Sequence, residues 1–559
     1  MTGHYIVCGM GHLGYRIADL LLRLGEGVAV ITEGSREDWV GDVEARGARI
    51  VRGDARSAAR LRDAGIDGAR ALIAAIKLDM TNVEIAVEAR QLRPELRVVL
   101  RLFDQQLARQ LEKAFGIRGL GMSALAAPAF AAAAAGEHQI ATFALGGQAF
   151  AIFSLELTAE SPLRGTSVRD LEERHHAAVL DVDGHEPEGP PPRLRLEPVA
   201  RLTLLARRED WLALRGKPPA GAAVPRSPRR RVGPRRSWIL VRDAWRNAPL
   251  LLRSLFVVFN ALIALSVFVF RFGMNLSFVD AVYFLITTVT TVGYGDYNLR
   301  ESGPALKLYG ALVMLLGSAT IATLYSILTD FVVSTRFEQL AGRRRLPDGE
   351  PIVVVGLGSV GFRVVEELRR ANAPAVVVER DPDGPYVRAA GAHVAVVLGD
   401  GRFEETLERA GVARAHAVVA VTGDDAANLG IALAVREVNP RARAVVRIFD
   451  ADFAAKVQTS LGLSAALSAS LTAAPTFVAA ALSPGVLSAV VHDRRFLMLA
   501  RQEVSPDLAG RRPSEIRAER NVRIVLRPQA PDGAYVVTSG DAALVAGEQV
   551  VTLTLRALG

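Results

Sequence analysis

The stretch Tyr5-Ile6-Val7-Cys8-Gly9-Met10-Gly11-His12-Leu13-Gly14 recurs as Val353-Val354-Val355-Gly356-Leu357-Gly358-Ser359-Val360-Gly361, with Gly9 matched to Gly356 at an offset of 347. Further on, the match continues at an offset of 346: Glu33 with Glu379, Asp54 with Asp400, Asp79 with Asp425, Asn82 with Asn428, and Arg101-Leu102-Phe103-Asp104 with Arg447-Ile448-Phe449-Asp450. Matches this numerous at one nearly constant offset make the chain two copies of one module. In each copy an apolar strand runs into Gly-x-Gly-x-x-Gly, a helix follows (residues 16–24 and 363–370), and a second apolar strand ends at an acid. Gly9, Gly11 and Gly14, like Gly356, Gly358 and Gly361, permit a tight turn and bring a phosphate to the helix amino terminus. Glu33 and Glu379, 19 residues after Gly14 and 18 after Gly361, stand where an acid accepts hydrogen bonds from ribose hydroxyls. The expected fold is therefore α/β and Rossmann-like in each copy.

Between the copies lies Thr291-Val292-Gly293-Tyr294-Gly295-Asp296. It matches the filter sequence of potassium channels, whose backbone carbonyls replace the hydration shell of the ion. Carbonyls line a pore axis only when side chains point away from it, and the two glycines supply the backbone angles this needs. The flanks fit. Residues 250–272 carry only Arg253 and Arg271 as charges and are long enough to cross about 30 Å of hydrocarbon, and residues 308–329 carry no charge. Ser277 and Asp280 have the spacing of a capping box ahead of a short apolar, Thr-rich helix that ends at the filter. Its carboxyl end would favour a cation. Basic residues sit outside both spans, among them Arg226, Arg229, Arg230 and Arg231 before the first and Arg343, Arg344 and Arg345 after the second. Both flanks are thus expected on the cytoplasmic side of a multi-pass protein of the cell membrane. The net charge of +8 is read as a surface facing anionic lipid, with no nucleic-acid partner expected. No further span carries regularly spaced arginines, so no voltage sensor is inferred.

Taken together, these features resemble a two-span potassium channel carrying RCK domains, the regulators of potassium conductance. The likeness covers nearly the whole chain. It implies residues 1–136 as a first RCK Rossmann lobe, 137–215 as its carboxyl-terminal lobe, drifted and interrupted by Pro187 to Pro192, 216–248 as a basic linker, and 249–335 as an all-α two-span pore. Residues 336–349 would be a second linker, 350–485 the second Rossmann lobe and 486–559 its small α+β carboxyl-terminal lobe. The resemblance further implies a homotetramer in a lipid bilayer, K+ held at Thr291, Val292, Gly293 and Tyr294, a gating hinge at Gly317, and NAD(H) or an adenine nucleotide as regulatory ligand.

Within this frame the copies differ. The family's polar segment is present as Val421-Thr422-Gly423-Asp424-Asp425-Ala426-Ala427-Asn428, whereas the first copy has Ala75-Ile76-Lys77-Leu78-Asp79-Met80-Thr81-Asn82. The second copy is favoured as the nucleotide site, with Thr422, Asp425 and Asn428 facing the ligand. Asp400 and Arg447, and in the first copy Asp54 and Arg101, are further ligand candidates, with a salt-bridged structural role as the alternative. Glu379 argues for an unphosphorylated ribose, and Arg380 beside it keeps a 2′-phosphate open.

At 559 residues the chain has room for several cores beyond a two-span pore. Its first residues lack a basic region followed by an apolar core, so no signal peptide is expected. The single Cys8 excludes a disulfide framework and reads as a buried apolar residue. The competing class is a nucleotide-dependent enzyme, but no acid/base pair or His/Cys metal spacing is evident, and His4, His12, His175 and His176 read as surface or loop residues. A regulated transporter component or a less selective cation channel is the remaining alternative.

Overall fold

The computed structural model describes residues 3–34, 36–137, 139–157, 163–182, 191, 193–196, 201–207, 210, 250–290, 292–319, 322–323, 346–492, 495–520, 522–529, 534–538 and 541–559. The chain divides into two compact units, Met1–Ala222 with Ala341–Gly559, and Ala223–Leu340.

In the first unit, β1 (His4–Cys8), β2 (Val28–Thr32), β3 (Arg49–Arg52), β4 (Ala69–Ala74), β5 (Arg97–Arg101) and β6 (Arg118–Leu120) form a sheet in the order 3-2-1-4-5-6. All its pairings are parallel. Four antiparallel strands follow in the order 7-8-10-9: β7 (Gln139–Leu145), β8 (Gln148–Glu156), β9 (Ala177–Val182) and β10 (Arg201–Arg207). The Pro187 to Pro192 stretch falls almost wholly outside the described residues. The second copy repeats the parallel sheet, ordered 13-12-11-14-15-16, with β11 (Ile352–Val355), β12 (Ala375–Glu379), β13 (Ala395–Leu398), β14 (Ala417–Ala420), β15 (Arg443–Arg447) and β16 (Ala465–Leu467). It closes on an antiparallel sheet, 17-18-21-19-20, of β17 (Val486–His492), β18 (Arg495–Glu503), β19 (Val522–Pro528), β20 (Tyr535–Val537) and β21 (Gln549–Ala557). Central strands such as β1 and β11 are buried at every position, as parallel strands covered on both faces must be.

The two copies are not independent lobes. The helix Met122–Ala134 follows β6 in the chain, yet its Ala126, Phe130 and Ala134 pack in the core of the second copy with Val354, Val364 and Val377. Conversely, the helix Ala469–Leu482 follows β16 and puts Ala473, Phe477 and Val478 in the core of the first, with Val7, Leu13 and Val30. Both helices are apolar nearly all round, which suits an element covered on every side. Arg97 donates to Ala481 O at 3.0 Å and Arg443 to Ala133 O at 3.3 Å, so each guanidinium meets the last carbonyls of the helix lent by the other copy. The antiparallel sheets also pack face to face, Phe143, Phe150 and Leu205 against Val490, Leu497 and Val551. Two ion pairs cross that contact, Asp181 with Arg495 and Glu172 with Arg523, each at 2.5 Å.

In the second unit the helices Leu250–Gly273 and Phe278–Val289 and a helix over residues 304–319 meet around Phe270, Ala281, Phe284 and Val313. Ser266 Oγ and Tyr309 OH are 3.0 Å apart and join the first helix to the third. Side chains of the first helix are described from Ala261 onward, and among the described residues no helix is long and apolar enough to cross a membrane.

Candidate functional site

Each Rossmann sheet changes winding direction between its first and fourth strands, the place where such sheets open a crevice at their carboxyl ends. β11 delivers Gly356 there with φ +94°, and a Cβ on it would lie 2.9 Å from Thr422 Cγ2. A Cβ on Gly361 would lie 1.9 Å from Gly356 O, so only hydrogen fits between helix and turn. Gly358 differs: a Cβ there meets nothing within 4 Å, and as N-cap of the helix Ser359–Arg370 it supplies no side-chain cap. The amides of the first turn are therefore left for an acceptor from outside. The first copy repeats all three features at Gly9 (φ +93°), Gly14 and Gly11, with the helix His12–Arg23 behind them.

These two loops open into one cleft of about 1320 Å³. Its walls include Gly9, Gly11, Glu33, Asp54, Lys77 and Arg101 from the first copy and Gly356, Gly358, Glu379, Asp400, Thr422 and Arg447 from the second. The glycine loops of the two copies thus share one space. The Glu379 carboxylate accepts hydrogen bonds from Leu357 N in the glycine loop, from Arg380 N at 2.8 Å and from Asp381 N at 3.0 Å, and so ties the acid strand to the turn. Glu33 is exposed. Asp400 pairs with Arg402 at 2.6 Å, and Asp54 with Arg56 at 2.8 Å; hydrogen bonds from those arginines hold both carboxyls below their usual range. Arg101 and Arg447 point their charge into the same space. Burial pulls both guanidinium pKa values down, Asp79 and Asp425 respectively oppose this, and for Arg101 the charge of Arg447 adds to the depression. Two partly desolvated cations on its walls leave the cleft receptive to an anion.

Asp425 and Asn428, expected at the ligand, do not line the cleft. Asn428 is fully buried. Its Oδ1 accepts from Thr422 N at 2.9 Å and Thr422 Oγ1 at 2.8 Å, and its Nδ2 donates to Arg447 O at 3.0 Å, stapling the end of β14 to that of β15. Asp425 accepts from Phe449 N at 2.9 Å. Asn82 and Asp79 make the equivalent bonds to Ile76, Arg101 and Phe103 in the first copy. A polar side chain buried here must satisfy the turn backbone first, which explains why the pair repeats in both copies.

Of the histidines read as surface or loop residues, His4 departs from that reading, and His12 is exposed as expected but lines the cleft. His4 is buried in β1, its Nε2 2.8 Å from Ala64 O. His12, on the cleft wall, lies with its ring centroid 4.1 Å from that of Phe449 of the other copy, the rings tilted by 38°, and burial, followed by the charge of Arg447, lowers its pKa. A cross-copy contact that sequence reasoning missed surrounds it. Arg16 donates to Phe449 O at 3.2 Å with its guanidinium 4.8 Å from that ring, and Arg363 does the same to Phe103, at 3.0 Å and 4.6 Å. The signal lay in the repeated Arg-x-Phe-Asp, whose aromatic is retained in both copies.

In the second unit, Ser277 Oγ accepts from Asp280 N at 3.1 Å and donates to Asp280 Oδ2 at 2.7 Å, which starts the helix Phe278–Val289 where the capping box places it. At its other end Val292 N and Gly293 N both donate to Thr287 O, at 3.0 and 3.1 Å. Gly293 (φ +52°) and Gly295 (φ +82°) then take left-handed backbone angles, while Tyr294 between them is 73% exposed in the single chain. Asp296 Oδ1 accepts from Tyr297 N at 3.1 Å. Thr291 lies outside the described residues. Gly317 sits against the end of this helix: a Cβ on it would be 3.0 Å from both Val289 methyls.

The TrkA-N domain family matches residues 5–119 and 352–469, and the ion channel family matches residues 255–334. An uncharacterized protein of Methanothermus fervidus is 30% identical over 201 residues, covering 34% of this chain and 31% of that protein. "Probable potassium channel protein 2" of Methanocaldococcus jannaschii is 23% identical over 247 residues, covering 43% of this chain and 70% of the relative. The chain thus spans under a third of the first relative and over two thirds of the second. Among solved structures, "GsuK channel bound to NAD" aligns with a TM-score of 0.52 at 16% identity, over 99% of this chain and 77% of that one, a likeness of fold.

Proposed function

We propose that this chain, in which two TrkA-N domains flank an ion-channel domain, is one subunit of a potassium-selective channel whose gate is biased by a nucleotide in the cleft. The observation that carries the pore reading is the pair of left-handed glycines, Gly293 and Gly295, directly after a capped helix. Carbonyls of Thr291, Val292, Gly293 and Tyr294 are the K+ ligands in this reading. One chain supplies one wall of such a filter, so the assembly is a homotetramer. Large apolar side chains stand exposed on the second unit, Phe272 at 66%, Leu308 at 73% and Leu315 at 71%, and lipid and neighbouring subunits are their partners. Residues 250–272, apolar but for Arg253 and Arg271, are the first span in this reading. Residues 308–329 are the second span, with both termini cytoplasmic.

NAD(H) or an adenine nucleotide is the ligand that the uncapped helix starts, the acids Glu33 and Glu379 and the central arginines suit best, and the GsuK channel of like fold was solved with NAD. The second copy joins the inner helix through residues 335–351, most of which lie outside the described residues, and carries the bias to the gate. Purified chain in liposomes tests the pore directly: potassium flux is expected and sodium flux is not, and equal permeability overturns the reading. A nucleotide panel tests the cleft, since a ligand of the folded state raises its thermal midpoint. Loss of the gating response in Glu33→Ala, with Glu379→Ala intact, would move the sensor to the first copy.

A further inference from the structure

The two halves of the cleft carry different charge. At the loop after the fourth strand, the second copy has Thr422, Gly423 and Asp424, and Asp424 caps the next helix by accepting from Ala427 N at 3.0 Å. The first copy has Ile76, Lys77 and Leu78 there, and Leu78, at the N-cap, makes no side-chain cap. The substitution gives up a helix cap and leaves Leu78 65% exposed on the cleft wall, so folding does not account for it. What it adds is an ammonium group on the wall, free of the neighbouring carboxylate that Asp424 supplies in the other half.

Asp54 with Arg56 and Asp400 with Arg402 cancel as ion pairs in both halves. What remains on the first wall is Glu33 against Lys77 and Arg101; on the second it is Glu379 and Asp424 against Arg380 and Arg447. One half is net cationic and the other balanced. We infer that the first half of the cleft selects the more highly charged nucleotide, a nucleoside triphosphate, through Lys77, while the second takes a less charged dinucleotide. This rests on the nucleotide reading above. It also reverses the ranking by polar residues, because the loss of Thr and Asp in the first copy becomes a change of specificity.

The experiment uses the full chain in lipid nanodiscs, titrated with ATP and with NAD at low and moderate salt. The double variant Lys77→Gly, Leu78→Asp gives the first loop the charge of the second. Its ATP affinity relative to NAD is expected to fall about fivefold or more, with a shallower salt dependence, as loss of one exposed positive charge and gain of one negative charge imply. The converse variant Gly423→Lys, Asp424→Leu should raise relative ATP affinity. An unchanged ATP-to-NAD ratio in both variants, with nucleotide still bound, overturns the inference alone. Absence of ATP and NAD binding in the unmodified chain overturns the nucleotide reading itself.

Discussion

Replacing Asn428 with Ala separates a ligand contact from a structural staple. The side chain makes bonds of 2.8 to 3.3 Å to the Thr422 backbone and hydroxyl and to Arg447 O, and it is wholly buried. Truncation leaves the Thr422 N–H and the Arg447 carbonyl without this partner in a part-buried turn. At roughly 1–3 kcal/mol for each group stranded, the loss is about 2–6 kcal/mol. Taking about 3 kcal/mol, a cooperative unit of some 150–250 residues would melt roughly 6–12 °C lower, and the two interleaved copies, melting as one larger unit, by less than that. Asn428→Asp keeps the acceptor and loses the donor, so an intermediate shift is expected. Thermal unfolding of the intact chain without nucleotide, followed by nucleotide titration well below the midpoint, is the assay. Asn82→Ala should cost a similar amount, because Ile76 and Arg101 are held the same way. A midpoint unchanged in Asn428→Ala together with abolished nucleotide binding would refute the reasoning and return Asn428 to the ligand.

Arg97→Ala and Arg443→Ala each remove a guanidinium from the carbonyl end of an exchanged helix; faster amide exchange is expected in residues 473–482 and 126–134 respectively, and equal exchange in both would refute the capping role. Gly317→Ala forces a methyl to 3.0 Å from Val289, so it should lower flux, and Val289→Ala in the same chain should restore it; failure of that rescue, with gating alone altered, would favour a hinge at Gly317. His12 has its pKa lowered by burial first and by Arg447 next, so the folded state binds its proton less readily than the unfolded chain. Its contribution to stability is therefore complete above the ordinary value of 6.5 and is lost as pH falls through the lowered folded value. His12→Asn should flatten that part of the stability profile, and anion binding in the cleft should take up a proton, which calorimetry in buffers of different ionisation heat would detect.

Local chemistry made much of this protein legible from its sequence. A Cβ at Gly361 or Gly14 collides with the carbonyl five residues earlier, and Ser277 with Asp280 closes a helix start within four residues, so both are written in short spacings. Repetition then identified the module, because one set of glycines and acids recurs in register. Tertiary structure alone decided which sheet each Ala-rich helix covers. Arg363 meets Phe103 across 260 residues of chain and Arg16 meets Phe449 across 433, and no local period encodes such a pairing. The same exchange merged two crevices into one cleft and brought Arg101 toward Arg447. It also shows why Asp425 and Asn428 looked like ligand residues: their spacing fixes that they are polar and near the crevice. Burial decides what they bond, and a buried amide or carboxylate answers first to the backbone groups that water no longer reaches.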